Sequence, residues 1–428
     1  MRKKILVISY YANMPGACQA EWIDDRIKAF IEKGYEITLI SSICCHKFSK
    51  PINHYRVPSL SFHSFNYEFA ECKSREIQYH GLINFLFSSY SLIARLLGPL
   101  LYFIRVRSGE GRWSWFLTSF WIAIMDIIRG KSSYDFIYTT GGPASAHLVG
   151  IFISPLNRRG RTLCELQDPL TGENIGRNKI SKLGFHFIEK FIVRFSGVTI
   201  YCTAEASRVA KNKYKSSQKK IDFVYPGAYP VQTNNNRNEN LSSERNKVIE
   251  ILYLGSLYQS RNFDTLMEAL YALVAELGPD VLKKIQITTY GHMNTDIRER
   301  IAAFRFDVFN MNSLVPREVA LQKASETDIL LLIQNSDKRS TVTIPFKTYD
   351  YLQQGKLILG LIYRNKELKQ MLESKGHLTC EVDSVEEIKN ILKKIIFNFS
   401  SYDSAIIKSD LTPNNAVAKM IQLVSHEY

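Results

Sequence analysis

Paired cysteines, clustered metal ligands and long uninterrupted apolar runs are all missing from this 428-residue chain, and each absence closes off a class of function. The seven cysteines, Cys18, Cys44, Cys45, Cys72, Cys164, Cys202 and Cys380, are odd in number and scattered without C-x-x-C spacing. That excludes a disulfide framework and a thiolate zinc site, and it fits a reducing, cytoplasmic compartment. There is no D-x-D and no grouping of His, Asp and Glu at ligand spacing, so neither a metal nor another cofactor is expected. No transmembrane span is expected, because the longest apolar stretch is divided by Arg95 and kinked at Gly98-Pro99. The basic head Met1-Arg2-Lys3-Lys4 opens like a signal peptide, but its short apolar run leads to Pro15-Gly16 and the acids Glu21, Asp24 and Asp25. It reads as a first β-strand instead.

Charge is plentiful and unevenly placed. The net charge is +14, and residues 1–230 hold 31 Lys and Arg against 17 Asp and Glu, whereas 231–428 hold 24 of each. A one-sided basic surface attracts polyanions, either nucleic acid or an anionic membrane leaflet. Nucleic acid is disfavoured by the lack of a helix-turn-helix pattern or an RNA-recognition strand motif. The segment 81–128 favours the membrane, since three of the four tryptophans (Trp113, Trp115, Trp121) fall there beside Arg95, Arg105, Arg107 and Arg112, with Arg129 following. That is the composition of helices lying in a bilayer interface. Two amphipathic helices of a large core have the same pattern.

The length calls for two domains. A strand at 5–9, a helix from about Cys18 to Lys33 stopped by Gly34, and a strand at 37–41 open a doubly wound sheet, in which ligands sit beyond the carboxyl ends of strands. Gly16, the Gly141-Gly142-Pro143 loop, and Glu165 and Asp168 all fall at that edge. The polar stretch 232–247 reads as a linker, and βα alternation restarts at Ile249 to form a second doubly wound domain. The chain thus divides into 1–230, a linker at 231–247, and 248–428, whose last helix can pack back on the first domain. The fold class is α/β, two Rossmann-like domains facing a cleft.

The most informative stretch is Thr343-Ile-Pro-Phe-Lys347-Thr-Tyr349-Asp350-Tyr-Leu-Gln-Gln-Gly355. Lys347 and Asp350 sit three residues apart at the start of a helix that ends in glycine, ahead of the apolar strand 357–362. A helix N-terminus with an added cation suits a diphosphate, and a carboxylate beside it suits sugar hydroxyls. The spacing alone equally describes a solvated surface pair.

This stretch resembles the P-x-K-x-[FY]-[ED]-Y-L-x-x-G-K signature of family 4 glycosyltransferases, the bacterial polysaccharide, O-antigen and capsule type with the GT-B fold. Three further segments resemble the same family in the same order. They are Tyr253-Leu-Gly255-Ser256 through Arg261 to Leu270, Thr139-Thr-Gly141-Gly142-Pro143-Ala-Ser-Ala-His147-Leu148, and Cys164-Glu165-Leu-Gln-Asp168-Pro169-Leu-Thr171. The resemblance implies a two-domain enzyme moving a sugar, with retained configuration, from a nucleotide-diphosphate sugar to a lipid-linked glycan acceptor at the inner face of the cytoplasmic membrane. It implies Arg261 and Lys347 on the diphosphate, with Gly255, Ser256, Tyr349 and Gly16 around the donor and Asp350 on its ribose. On the acceptor side it implies Gly142, His147, Glu165 and Asp168, with Asp168 as the candidate general base. His147 has three readings: phosphate ligand, acceptor contact or cap of the next helix. The departures are Val342 in place of an acid, Ser256 in place of an arginine, and Glu165 and Gln167 in place of acid and arginine. They also leave room for a noncatalytic scaffold subunit of GT-B type.

Overall fold

The computed structural model describes residues 3–14, 18–48, 52–79, 81–97, 112–129, 133–157, 160–171, 179–230, 248–403 and 406–425. The expected linker 231–247, Gly16, Gly98-Pro99, Arg105 and Arg107 lie outside the described residues.

Two α/β units result, one of residues 1–225 and 413–428 and the other of residues 226–412. The first is built on seven strands: β1 (Lys3–Ile8), β2 (Tyr35–Ser42), β3 (Asn53–Val57), β4 (Phe136–Thr140), β5 (Arg161–Leu166), β6 (Val198–Tyr201) and β7 (Ile221–Phe223). They pair in the order β3-β2-β1-β4-β5-β6-β7, every pair parallel. Ile5, Leu6, Val7 and Ile8 have no exposed surface, as a strand covered on both faces requires. The covering helices are α1 (Cys18–Glu32), α2 (Phe62–Ser74), α3 (Gly81–Leu97), α4 (Trp113–Arg129), α5 (Ala144–Ile153), α6 (Lys179–Phe195) and α7 (Ala204–Lys213). Gly34 ends α1 with a φ of +83°, the left-handed conformation a C-terminal glycine supplies.

The second unit has six parallel strands, β8 (Ile249–Leu254), β9 (Ile285–Tyr290), β10 (Phe309–Asn312), β11 (Ile329–Ile333), β12 (Leu357–Ile362) and β13 (Leu378–Glu381), in the order β10-β9-β8-β11-β12-β13. Its helices are α8 (Asp264–Leu277), α9 (Thr295–Ala302), α10 (Arg317–Glu326), α11 (Lys347–Gln353), α12 (Lys366–Glu373) and α13 (Val385–Asp403). Leu266, Leu270 and Leu273 of α8 form one buried stripe in the core it shares with β8, β11 and α13, the 3.6-residue period of an amphipathic helix. The final helix α14 (Pro413–Ser425) belongs to the first unit, where Val417 and Met420 join the core formed by Ile23, Ile27 and Phe30 of α1.

In both sheets the strand order reverses next to the first strand, between β1 and β4 and between β8 and β11. Ligands of open parallel sheets bind beyond the carboxyl ends of the strands at such a switch point, so each unit offers one.

Candidate active site

At the switch point of the second unit, the chain leaves β8 through Gly255, whose φ of +129° is a conformation that side-chain-bearing residues avoid. Gly255 donates its N–H to the Tyr290 carbonyl at 2.9 Å. A Cβ on the neighbouring Gly291 would stand 2.1 Å from the Gly255 carbonyl oxygen, so two glycines allow the β8 and β9 loops to touch. Lys347, at the start of α11, reaches across this turn. Its Nζ donates to the Leu254 carbonyl at 3.0 Å and lies 3.7 Å from the centre of the Tyr253 ring. The Leu254 N–H in turn donates to the Tyr351 hydroxyl at 3.0 Å, so α11 grips both backbone groups of the residue before the glycine.

Arg261 closes the same loop. Tyr258 and Arg261 exchange both backbone hydrogen bonds at 3.0 Å, and the guanidinium lies 5.4 Å from the Tyr258 ring centre. Its Nε is buried with no partner. Burial pushes the Lys347 amine well below the usual lysine range, and the nearby Arg261 charge adds to the shift. Among the described residues neither cation forms an ion pair. Two neighbouring cations with no carboxylate partner among the described residues repel each other, and an anion bound beside them would relieve that cost.

Sequence spacing puts Lys347 and Asp350 on one face of a helix, but the structure sends them to different partners. The Asp350 carboxylate pairs with Arg317 at 2.5 Å, a residue at the start of α10 that sequence reasoning missed. No local motif marked Arg317, since its link to Asp350 spans 33 residues of chain. Burial raises the Asp350 carboxyl above its usual range and Arg317 opposes the rise. Tyr349 is buried at 1% exposure, with its ring centre 6.3 Å from that of Phe346. Ser256 is half-buried, and its carbonyl accepts from the Tyr253 hydroxyl at 3.1 Å. At seven residues α11 is short, so the Lys347 charge outweighs what its dipole can add.

At the first unit's switch point, the Gly141-Gly142 turn follows β4 and leads into α5. Gly142 is exposed, and a Cβ there would meet Gln19 and Tyr11 at 3.3 to 3.4 Å. His147 lies inside α5 with no exposed surface, which rules out a capping role; a ring nitrogen pairs with the Thr139 hydroxyl at 2.8 Å. Burial lowers its pKa to about 4, with the Gly141 backbone opposing, so it is neutral at physiological pH. The Ser9 and Ser145 hydroxyls beside this turn are buried without partners. Glu165 at the end of β5 has no exposed surface: its carboxylate takes Arg26 at 3.1 Å, Thr140 at 2.9 Å and the Tyr138 hydroxyl. It therefore presents no oxygen to an acceptor in this structure. Asp168 stands half-buried in the loop beyond β5, next to Gln167, whose side-chain amide is buried without a partner.

The segment 81–128 divides in character. Along α3, Leu82, Phe85, Leu86 and Leu96 are exposed. In α4, Trp121 is 58% exposed but Trp115 is fully buried, donating its indole N–H to the Val57 carbonyl at 3.2 Å. The expectation that all three tryptophans face a membrane therefore fails for Trp115, which is core. Arg112 stacks on Tyr67 at 4.5 Å and Tyr10 at 5.5 Å. No helix among the described residues is long and apolar enough to cross a membrane.

No family model matches the chain, and no curated protein matches it either. Solved structures do. A UDP-forming α,α-trehalose-phosphate synthase from Burkholderia xenovorans, in complex with glucose-6-phosphate, superposes with a TM-score of 0.64 at 8% identity over 99% of this chain and 100% of that one. A TarM variant of S. aureus, in complex with fondaparinux, α-GlcNAc-glycerol and UDP, gives 0.58 at 8% identity over 100% of both chains. WaaG, a glycosyltransferase involved in lipopolysaccharide biosynthesis, gives 0.56 at 11% identity over 99% of this chain and 100% of that one. At such identities the likeness establishes the fold, the two parallel-sheet domains of GT-B glycosyltransferases.

Proposed function

We propose that this protein is a glycosyltransferase that binds a nucleotide-diphosphate sugar at the β8–α11 site and transfers its sugar to a glycan acceptor held by the first unit. The observation that carries this reading is the approach of Lys347 to the Gly255 turn, within reach of the Arg261 charge, with neither cation in an ion pair among the described residues. As the glycosidic bond to the donor breaks, the departing diphosphate gains negative charge. Fixed cations beside it are then worth more in the transition state than in the ground state, which is the condition for catalysis. Asp350, held by Arg317, is the carboxylate that would accept from ribose hydroxyls. Asp168 is the carboxylate left to deprotonate or orient the acceptor, because Glu165 is enclosed with Arg26. No step in this scheme needs a metal, and transfer is expected to survive a chelator.

The finer reading is a lipid-linked acceptor at the inner face of the cytoplasmic membrane, surface-polysaccharide synthesis such as O-antigen or capsule, and retention of configuration. It rests on the family signature, the basic N-terminal half and the exposed apolar side chains of α3. Screening nucleotide sugars by thermal shift, followed by turnover with the stabilising donor, tests the proposal. Stabilisation by a nucleotide sugar with release of the nucleoside diphosphate supports an enzyme. Stabilisation with neither hydrolysis nor transfer would favour the scaffold reading, which the withdrawal of Glu165 into an internal ion pair keeps in play. No stabilisation by any donor would remove the site assignment.

A further inference from the structure

Helix α6 carries an apolar ridge that the protein's own core does not cover. Its inner side is used, since Phe185, Ile192 and Val193 are buried against the β5–β6 side of the sheet. The opposite side is also apolar: Ile180 is 82%, Leu183 57% and Phe187 59% exposed. Their spacing of three and four residues puts them on one stripe. A helix that is apolar on both sides, at the surface of a folded unit, has a second partner.

The charges around the ridge identify that partner. Lys179, Lys182 and Lys190 are exposed along one flank of the stripe. The helix contains a single acid, Glu189, which is buried with the hydroxyls of Tyr201 and Thr171 on its two oxygens. The turn 215–220 packs on that same flank, where Tyr214 lies against His186 at 6.1 Å and the Lys220 ammonium caps the Ser196 carbonyl at 3.3 Å. That turn adds exposed Lys215 and Lys219. Aliphatic and aromatic tips beside a row of ammonium groups that form no ion pair among the described residues match an anionic bilayer surface, with carbon buried below the headgroups and ammonium groups level with them. A nucleic acid would leave Ile180 and Leu183 without a use. A second copy of the chain would bring the same cations face to face.

The ridge also continues toward α4. Phe116 of α4, Phe152 of α5 and Phe191 of α6 follow one another at ring-centre distances of 5.9 and 5.7 Å. Exposed Leu117 and Trp121 extend the same apolar character along α4.

We propose that α6, with the lysine turn 215–220, is a docking surface for anionic lipid that lies in the headgroup plane as an extension of the α4 face. The inference deepens the membrane reading given above and supplies an element that reading lacked. Two exposed pairs separate its parts: Leu183→Ser with Phe187→Ser, and Lys182→Gln with Lys190→Gln. Full-length protein is cosedimented with phosphatidylcholine vesicles with and without phosphatidylglycerol, at low and high salt, and its melting temperature is recorded for each variant. Wild-type binding is expected to require phosphatidylglycerol. The lysine pair should lower it about tenfold or more at low salt, because each basic group near the surface contributes substantially. The apolar pair should remove the share that survives high salt. Nucleotide-sugar hydrolysis, or transfer to a water-soluble acceptor, should stay unchanged in both variants, so a failed docking site and a failed donor site give different results. Binding within twofold of wild type in both variants overturns the proposal. So does a protein dimer in size-exclusion light scattering that the apolar pair dissolves while vesicle binding stays intact.

Discussion

At the scale of single residues, the proposed donor site turns on Lys347. Its amine is pushed well below the ordinary lysine range by burial, with Arg261 adding to the shift. A diphosphate seated beside it outweighs both effects through Coulomb attraction and draws the pKa back up. Nucleoside diphosphate binding is therefore expected to take up a proton between the pKa of the empty site and that of the filled one. Calorimetry in buffers of different ionisation enthalpy measures this uptake directly, and identical enthalpies across buffers would argue against Lys347 as a ligand. Lys347→Ala and Arg261→Ala should each cut turnover by ~100-fold or more with the fold intact, since each removes a charge-assisted contact to the leaving group. Activity within threefold of wild type in both would sink the assignment. Asp350 gives a third test at this scale. Arg317 restrains the rise of a buried carboxyl, so Arg317→Gln should raise that pKa further. Donor affinity in the variant should then decline on acidification at a higher pH than in wild type, and coincident pH profiles would count against a ribose role.

At the scale of elements, what could be read from sequence was what local patterns encode. The strands 249–254, 329–333 and 357–362 are short, mainly apolar runs, and 285–290 alternates buried with half-buried residues; all four form where the pattern puts them. Gly255, Arg261 and Lys347 meet because βα alternation carries them to one sheet edge. Strand β3 and helix α2 were missed, since Asn53–Val57 is polar and mostly half-buried at the sheet edge and Phe62–Ser74 has a weak periodicity. Long-range pairing was also illegible: nothing near Glu165 in sequence announces Arg26, 139 residues away, and nothing near Trp115 distinguishes it from the exposed Trp121. The Arg26–Glu165 pair ties α1 to β5 and is fully enclosed. Removing one member leaves a buried charge alone, a loss of about 3–5 kcal/mol. Arg26→Met should therefore lower stability toward urea by that order, and adding Glu165→Gln should restore part of it. A loss of under about 1 kcal/mol in the single variant would mean that the enclosure relaxes to admit water.

At the scale of the whole molecule, the buried titratable groups act against one another, and their balance sets how the protein meets acid. Burial lowers His147 and His54 in the first unit and His377 in the second, each to about 4 from an ordinary 6.5. In that window the unfolded chain binds more protons than the native one, so each histidine takes stability away as pH falls from about 6.5 to about 4 and leaves it unchanged above. Asp24 in the first unit works in the other direction. Burial raises its carboxyl from 3.8 to about 7 against the bond it accepts from the Asn13 N–H. The native state therefore holds the extra proton there, and stability rises as pH falls through that range. For His147, fully enclosed, the shift amounts to about 3 kcal/mol once both states are protonated, and Asp24 offsets a comparable amount. The two effects share most of their pH window, so the wild-type profile should be shallower than either group alone would make it. Asp24→Asn removes the opposing term and should steepen the loss between pH 6.5 and 4, whereas His147→Gln should flatten it, whatever each does to stability at neutral pH. Unfolding free energies measured across this range give the slopes, and three parallel curves would show that neither group titrates as its burial requires.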